Sequence, residues 1–520
     1  MAGITLAAHP TKATRVASGV AALANCLTAG GVFTFPLWSP LLAHAARLSS
    51  SQVNLLASAA ILGEYAVAAP FGALADHKGP GSVSLGAAVL FVLGFGVLGW
   101  RYGVNVEKRA NHEEVWTGEF AVLLLSNFLV GCGAAASYFS GVISSSKSAP
   151  ARHSGLAIGI PCAVFGLSPL FLSSIASPFT SSGGDLDARR YLLFLAVVLF
   201  IVNGAGAVLI KNLPWEEQIE KVAVDALEPA NGDAEGYLNE MSATERTSLL
   251  PSRSSPSPSP SLEESAHSLR SFVSTASFWL LGGIIFLSTG PAEMYMASLG
   301  PFLESLVKPA PSSTTSPSFS STLPLRKRHI ALLSIANTLS RLFVGAASDW
   351  LSTPSVARGD KGGPAVLRRS GWRKSVRLWF LGGGCIALVA AYGWGGMGMR
   401  TPAGLWVVTL TTGVSYGTVF TISPALVRTR WSIDSFGRNW GLLTWFSAVG
   451  AMLFTPLFGF IRDVAASSSS SSSPGNSGNQ EDGTCFGPRC YQPILLLSAT
   501  SALLATGMVG VLGKRWASRT

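Results

Sequence analysis

The sequence predicts an all-α integral membrane protein with twelve transmembrane helices arranged as two six-helix halves. Three observations predict it. Apolar residues make up 48% of the 520-residue chain and charged residues only 12%, against about 25% charged residues in a soluble domain. Apolar runs of roughly 20 residues, enough to cross a hydrocarbon layer about 30 Å thick as a helix, recur along most of the chain. A long polar segment, 211–275, divides those runs six and six.

In order, the runs fall near 16–38, 53–75, 82–100, 119–143, 155–176 and 190–210, then 276–298, 329–350, 375–396, 403–426, 437–461 and 492–513. None alternates with period two, and only closed barrels could cross as strands, so helices are expected throughout. The 56 glycines suit close helix approaches in a bilayer. The first run is long and followed by many others, so it is expected to insert and stay rather than be cleaved.

An even number of spans puts residues 1–15 and the tail 514–520 on one side. Lys and Arg number 23 in the loops that would share the side of the termini and 13 in the opposite loops. The positive-inside rule therefore predicts cytosolic termini. The cluster Arg326-Lys327-Arg328 is the main exception. The same distribution accounts for the net charge of +10. The basic residues sit between membrane runs, not on a nucleic-acid-binding face.

Segment 211–275 is acidic early (Glu216, Glu217, Glu220, Asp225, Glu228) and then rich in Ser and Pro. Such a composition cannot bury a core, and it is expected to be a disordered cytosolic linker. It carries Glu245-Arg-Thr-Ser-Leu249-Leu250, the acidic dileucine pattern read by sorting adaptors on the way to lysosomes and vacuoles. Ser467–Ser473 forms a second low-complexity tract.

Charged residues inside a span cost about 2.5–3.5 kcal/mol on insertion scales and are functional candidates by default. Glu64 lies in the second span, Glu293 in the seventh and Arg341 in the eighth. Asn337 lies one turn before Arg341, on the same face. Two readings of Arg341 follow: it holds the anionic group of a cargo or pairs with a proton-accepting carboxylate, or it forms a structural interior pair with a Glu. Gly290-Pro291 just before Glu293 is expected to interrupt the seventh helix and free backbone groups towards a cavity. No phosphate-binding loop, nucleophile triad, zinc-ligand spacing or cofactor motif is present, so neither an enzyme nor a metal site is expected. Cys485-Phe-Gly-Pro-Arg-Cys490 precedes the last span on the non-cytosolic side, where an oxidising lumen would permit a short disulfide around a Gly-Pro turn.

The halves repeat. Span two ends Gly72-Ala-Leu-Ala-Asp76 and span eight ends Gly345-Ala-Ala-Ser-Asp349. Gly72-x-x-x-Asp76-His77-Lys78-Gly79 resembles the loop motif of the major facilitator superfamily. That resemblance implies that Asp76 faces the start of helix eleven, near Asp434–Gly437, and that Asp349 faces the start of helix five, near Ser154-Gly155. Such contacts would hold the cytosolic side closed. His77 and Pro80 stand where the motif usually carries basic residues, so its extra basic pairings are not carried over.

Further stretches resemble the fungal monocarboxylate transporter homologue group, vacuolar members of that superfamily related to plant nodulin-like transporters. They include Gly155-Leu-Ala-Ile-Gly-Ile-Pro161, Phe165-Gly-Leu-Ser168, Phe278-Trp-Leu-Leu281, Gly290-Pro291-x-Glu293-Met294, Ser340-Arg341-Leu342, Tyr416-Gly-Thr-Val-Phe-Thr421, Phe436-Gly-x-Asn-Trp-Gly441 and Cys485-x-Gly-x-x-Cys490-Tyr491. The resemblance implies a transporter in the vacuolar membrane; the plasma membrane is the alternative. With the interior charges, the expectation is a monomeric secondary transporter of a small organic solute, anionic if Arg341 holds it, with or without protons. The resemblance does not deliver the cargo. Animal monocarboxylate transporters carry Asp one turn before the helix-eight Arg, whereas Asn337 stands there in this chain. The rival reading is a nutrient sensor on a transporter fold, signalling through the 211–275 loop.

Overall fold

The computed structural model describes residues 11–48, 50–114, 116–150, 153–179, 186–213, 269–307, 319–352, 355–357, 366–368, 371–431, 433–470 and 486–518. Among the described residues, eleven stretches are long and apolar enough to cross a membrane: α1 (Lys12–Thr34), α2 (Leu55–Lys78), α3 (Pro80–Ala110), α4 (Glu119–Lys147), α5 (Ser154–Ile175), α6 (Ala188–Leu209), α8 (Arg328–Ser352), α9 (Ser375–Met397), α10 (Pro402–Arg430), α11 (Phe436–Arg462) and α12 (Gln492–Ala517). The twelfth, α7 (Ala276–Ala297), is a 22-residue helix made more polar by its second half, Ser288 to Glu293. It packs between α11 and α12 as one of the bundle.

Several helices depart from the expected runs, each for a local reason. The α-helix of α1 stops at Ala29 and continues as a tighter 3-10 turn, Gly30–Thr34. Gly30 sits there against α5, its N–H donating to Ser168 Oγ at 2.9 Å. In α2, regular helix breaks between Ala66 and Ala68, where Pro70 cannot donate to the Ala66 carbonyl four residues back. Helix α3 runs on to Ala110 rather than ending near 100. Arg101 and Asn105, expected in a loop, instead lie on its last turns and bond the buried Glu119 of α4. The α8 helix starts at Phe319, so Arg326-Lys327-Arg328 is helical, and α11 extends to Ser470. Beyond the hydrocarbon layer water can solvate polar side chains, so composition stops marking where a helix ends.

Helix α7 also corrects an expectation, because it continues through Pro291 without interruption. Pro291 leaves the Leu287 carbonyl without its helical partner, and Ser501 of α12 supplies the missing bond at 2.8 Å. Gly290 serves packing: a Cβ there would lie 2.9 Å from Gly450 Cα on α11.

The linker is not wholly irregular. Residues 269–274 are helical, and buried Phe272 packs edge-on against Phe278 and Trp431. At the other end, Lys211 and Leu213 are tied to Ser18, Ser144, Arg15 and Ser148. Residues 214–268, including Glu245, Leu249 and Leu250, lie outside the described residues. A two-stranded hairpin, β1 (Ser355–Ala357) and β2 (Val366–Arg368), joins α8 to α9 and is a small exception to the all-helical expectation.

Within the first half, α1, α2 and α3 pack around α4, and α6 covers α3; within the second, α7 packs on α11 and α12, α8 on α10, and α9 on α10 and α12. The halves meet through α2 against α11 and through α5 against α8 and α10. Helices two and eight, like five and eleven, occupy matching places in the two halves. The paired contacts therefore repeat about a pseudo-two-fold axis.

Candidate functional site

At the end carrying the α2–α3 turn, each interhalf contact closes on an aspartate. Asp76 accepts from the backbone N–H of Gly437 at 3.1 Å and of Arg438 at 2.8 Å. Asp349 accepts from Gly155 N–H at 2.8 Å and Leu156 N–H at 2.9 Å. Each carboxylate therefore caps the positive N-terminal end of a helix in the other half. The approach demands glycine on both sides. A Cβ at Gly72 would run into the Gly437 carbonyl, and one at Gly155 would lie 2.5 Å from the Gly345 carbonyl.

Basic partners come from positions outside the sequence motif. Lys147, ending α4, lies 2.7 Å from Asp76 and donates to the Asp434 carbonyl at 3.1 Å. Arg377, starting α9, lies 3.1 Å from Asp349 and also reaches Ser154 Oγ. Arg428, ending α10, donates to the Ala149 carbonyl across the halves. Lys78 and His77 are exposed, and Gly79 at φ +87° makes the turn into α3.

Midway along the helices the same interhalf seam becomes polar. Arg341 is 2% exposed. Its Nε donates to Asn337 Oδ1 at 2.9 Å and its Nη1 to the Cys162 carbonyl, on α5 in the other half, at 2.8 Å. Its guanidinium carbon lies 6.0 Å from the Tyr416 ring centre and 5.8 Å from that of Phe420. Among the described residues no carboxylate lies within ion-pair distance of Arg341. Glu293 Oε1 instead accepts two phenol hydroxyls, Tyr65 of α2 at 2.7 Å and Tyr416 of α10 at 2.6 Å. Glu64 lies close enough to Glu293 for the two carboxyl groups to interact electrostatically.

Sequence reading singled out Arg341, Asn337, Glu293 and Glu64, and the fold gathers all four along one seam. It did not single out Tyr65, Tyr138, Cys162 or Tyr416. Tyr138 lies 3.2 Å from Cys162 Sγ, and Tyr416 links Glu293 to the Arg341 neighbourhood. A tyrosine in an apolar run carries no charge to flag it, and only the packing of four helices shows what its hydroxyl meets. Cys490 is buried and disulfide-bonded, Cys26, Cys132, Cys162 and Cys385 are free and buried, and Cys485 lies outside the described residues. No group of metal-ligating side chains occurs among the described residues. A separate groove of about 590 Å³ between α8, α9 and α10 is apolar. Phe343 and Trp379 on its rim are largely exposed, which makes it part of the lipid-facing surface.

Two matched helical halves, glycine crossings capped by aspartates and a buried polar seam define a membrane transporter of the two-half type. The chain belongs to the Major Facilitator Superfamily, whose family model matches residues 21–455. Among curated proteins it is 27% identical to "Probable transporter mch1" of Neurospora crassa, over 95% of this chain and 88% of the relative. It is also 27% identical to "Probable transporter MCH1" of Candida albicans, over 86% and 84%. Both relatives carry the name MCH1, for monocarboxylate transporter homologue, and both are fungal. Among solved structures, a bacterial homologue of the iron transporter ferroportin in an outward-facing state aligns with a TM-score of 0.58 at 13% identity, covering 95% of this chain and 99% of that one. The human organic anion transporter MFSD10 aligns with a TM-score of 0.54 at 15% identity, covering 96% and 100%. At these identities the structural likeness speaks for the fold alone.

Proposed function

We propose that this protein is a secondary active transporter that carries a small organic anion across the vacuolar membrane by alternating access. One observation carries the reading: Arg341 is a buried cation on the seam between the halves, without a carboxylate partner among the described residues. A charge buried that deeply is expected to be paired. Asn337 and the Cys162 carbonyl fix the orientation of the guanidinium without neutralising it. A planar guanidinium held in this way suits a carboxylate, which it binds through two parallel hydrogen bonds. The rings of Tyr416 and Phe420 form an apolar wall for the rest of a small solute.

The glycine and aspartate contacts of α2 with α11 and of α5 with α8 make the gate. Hydrogen bonds described between the halves run from Asp76 and Asp349 up to Tyr65 and Arg341, so this conformation is closed at the motif end. The excess of Lys and Arg on that side supports a cytosolic assignment for it and for both termini. Opening that end requires Asp76 and Asp349 to leave the helix ends they cap. One chain supplies both halves of the path, which supports a monomeric working unit. The acidic dileucine Glu245–Leu250 supports sorting to the vacuole through an adaptor.

Reconstitution in vesicles, with labelled mono- and dicarboxylates offered across a range of pH gradients, tests the reading. At least one anion is expected to enter with wild type and to lose entry with Arg341→Ala. Uptake that survives Arg341→Ala unchanged would overturn the assignment.

A further inference from the structure

We propose that the groove between α8, α9 and α10 seats one anionic phospholipid from the leaflet at the motif end. One acyl chain lies along the groove, and the headgroup lies at the basic start of α9, where Arg373 and Lys374 stand. The site is on the lipid-facing side of the second half and does not rest on the assignment of Arg341.

The groove has the shape and chemistry of a hydrocarbon slot. Its volume is about 590 Å³, and it runs lengthwise from Leu351 of α8 and Val376 of α9 at the motif end to Ala336 and Leu410. Ala336 and Leu351 lie on one continuous helix, separated by a rise of about 22 Å. That is longer than one leaflet, which is half of a hydrocarbon layer about 30 Å thick. The hydroxyls on its walls are already committed. Ser340 Oγ donates to the Asn337 carbonyl at 2.9 Å, and Thr418 Oγ1 to the Val414 carbonyl at 2.8 Å. A polar guest would find no partner there, whereas an acyl chain needs none. Gly383 opens the slot, because a Cβ there would meet nothing within 4 Å.

Exposed indole rings set the depth. Trp350, next to Leu351, is 78% exposed, and Trp379 on the rim is 67% exposed. Tryptophans at a membrane surface sit at the level of the lipid headgroups. The motif end of the groove therefore opens at that level, and its axis follows the acyl chains of the leaflet.

Charge selects the headgroup. The helix of α9 begins at Gly371, ahead of its apolar span, so Arg373 and Lys374 stand on its first turn, close to Val376. From Val366 to Arg377 the sequence holds five basic residues and no acidic one. Arg377 is engaged with Asp349, so the headgroup is assigned to Arg373 and Lys374. The matching turn of the first half, between α2 and α3, holds only His77 and Lys78 beside Asp76. The positive-inside rule asks for basic residues on that side, but not that they gather on one of two equivalent turns. Basic clusters at the membrane surface attract anionic headgroups. Every lining residue belongs to the second half, so the groove moves as one body when the halves rock. The lipid is resident through the cycle, bracing α8, which carries Arg341 and Asp349, against α9 and α10.

The test offers phosphatidylserine or phosphatidylcholine, with the same acyl chains, to purified full-length protein stripped of lipid in detergent. Native mass spectrometry counts the lipid retained. Wild type is expected to hold one phosphatidylserine about tenfold more tightly than phosphatidylcholine, the size expected of two basic residues beside an anionic headgroup, and to melt at a higher temperature with it. This comparison decides without any variant. Gly383→Leu, which extends into open space, is expected to lose retention of both lipids. Arg373→Ser with Lys374→Ser is expected to hold the two lipids equally weakly. Glycerophosphoserine, the headgroup without chains, is expected to leave the melting midpoint unchanged. No preference in wild type, phosphatidylserine held by Gly383→Leu as by wild type, or a midpoint raised equally by glycerophosphoserine would overturn the proposal. So would a sterol retained in its place, or a dimer that Gly383→Leu dissolves, because each gives the groove another occupant.

Discussion

Arg341 and Asn337 show how one atom sets what a buried cation can do. The amide oxygen of Asn337 orients the guanidinium at 2.9 Å without cancelling its charge. Asn337→Asp would place a carboxylate on the same donor and satisfy Arg341 from within the protein. The anion would then compete with an intramolecular partner. We expect apparent affinity to fall about tenfold or more, the equivalent of about 1.4 kcal/mol, with expression and thermal stability maintained; concentration-dependent uptake measures it. All four candidates, Glu64, Glu293, Asn337 and Arg341, were legible in the sequence, three of them because a formal charge inside an apolar run is rare. Tyr65 and Tyr416 were not, because a phenol fits an apolar helix whether or not its hydroxyl finds a partner.

At the scale of helices, prolines and glycines do opposite work. Pro291 removes a donor from α7, and Ser501 on α12 takes over the orphaned Leu287 carbonyl. Ser501→Ala would leave that carbonyl unpaired in a region without water. We expect a loss of about 1–3 kcal/mol, read as a lower midpoint in thermal unfolding in detergent, with transport otherwise intact. The Pro424 of α10 leaves the Phe420 carbonyl in the same position, and Cys162 Sγ lies 3.9 Å from it as a weak donor. Pro291 and Pro424 therefore mark helices that lean on a neighbour, not helices that stop. Glycines let backbones meet: Gly72 with Gly437 and Gly155 with Gly345 bring α2 to α11 and α5 to α8 close enough for one aspartate to reach two N–H groups.

At the scale of the whole molecule, the two gate contacts are equivalent by pseudo-symmetry, and each should matter. Asp76→Asn and Asp349→Asn keep an acceptor but lose the negative charge facing the helix end and the basic partners Lys147 and Arg377. In a background lacking the free cysteines, Ser447→Cys should be alkylated faster from the motif side in either variant than in the parent. Equal rates in all three would show that the aspartates do not close the gate. Sorting belongs to this scale too. Leu249→Ala with Leu250→Ala should move a fluorescent fusion from the vacuolar membrane to the cell surface without altering uptake in vesicles, and unchanged vacuolar labelling would remove the dileucine from the account.

The sequence alone determined twelve apolar helices, their division six and six about 211–275, and the repeated G-x-x-x-D ends of helices two and eight. Those features rest on local composition and spacing, and the cost of putting polar groups in lipid makes them hard to disguise. Tertiary structure decided where helices end beyond the hydrocarbon, as in α3 and α8, which basic side chains pair with Asp76 and Asp349, and that Pro291 leaves α7 unbroken. It also decided that Glu293 is held by tyrosines from both halves, while among the described residues no carboxylate comes within ion-pair distance of Arg341. The reason is physical. A hydrogen bond between Tyr65 and Glu293 links residues 228 positions apart, and only the packing of both α2 and α7 against α11 brings them within reach.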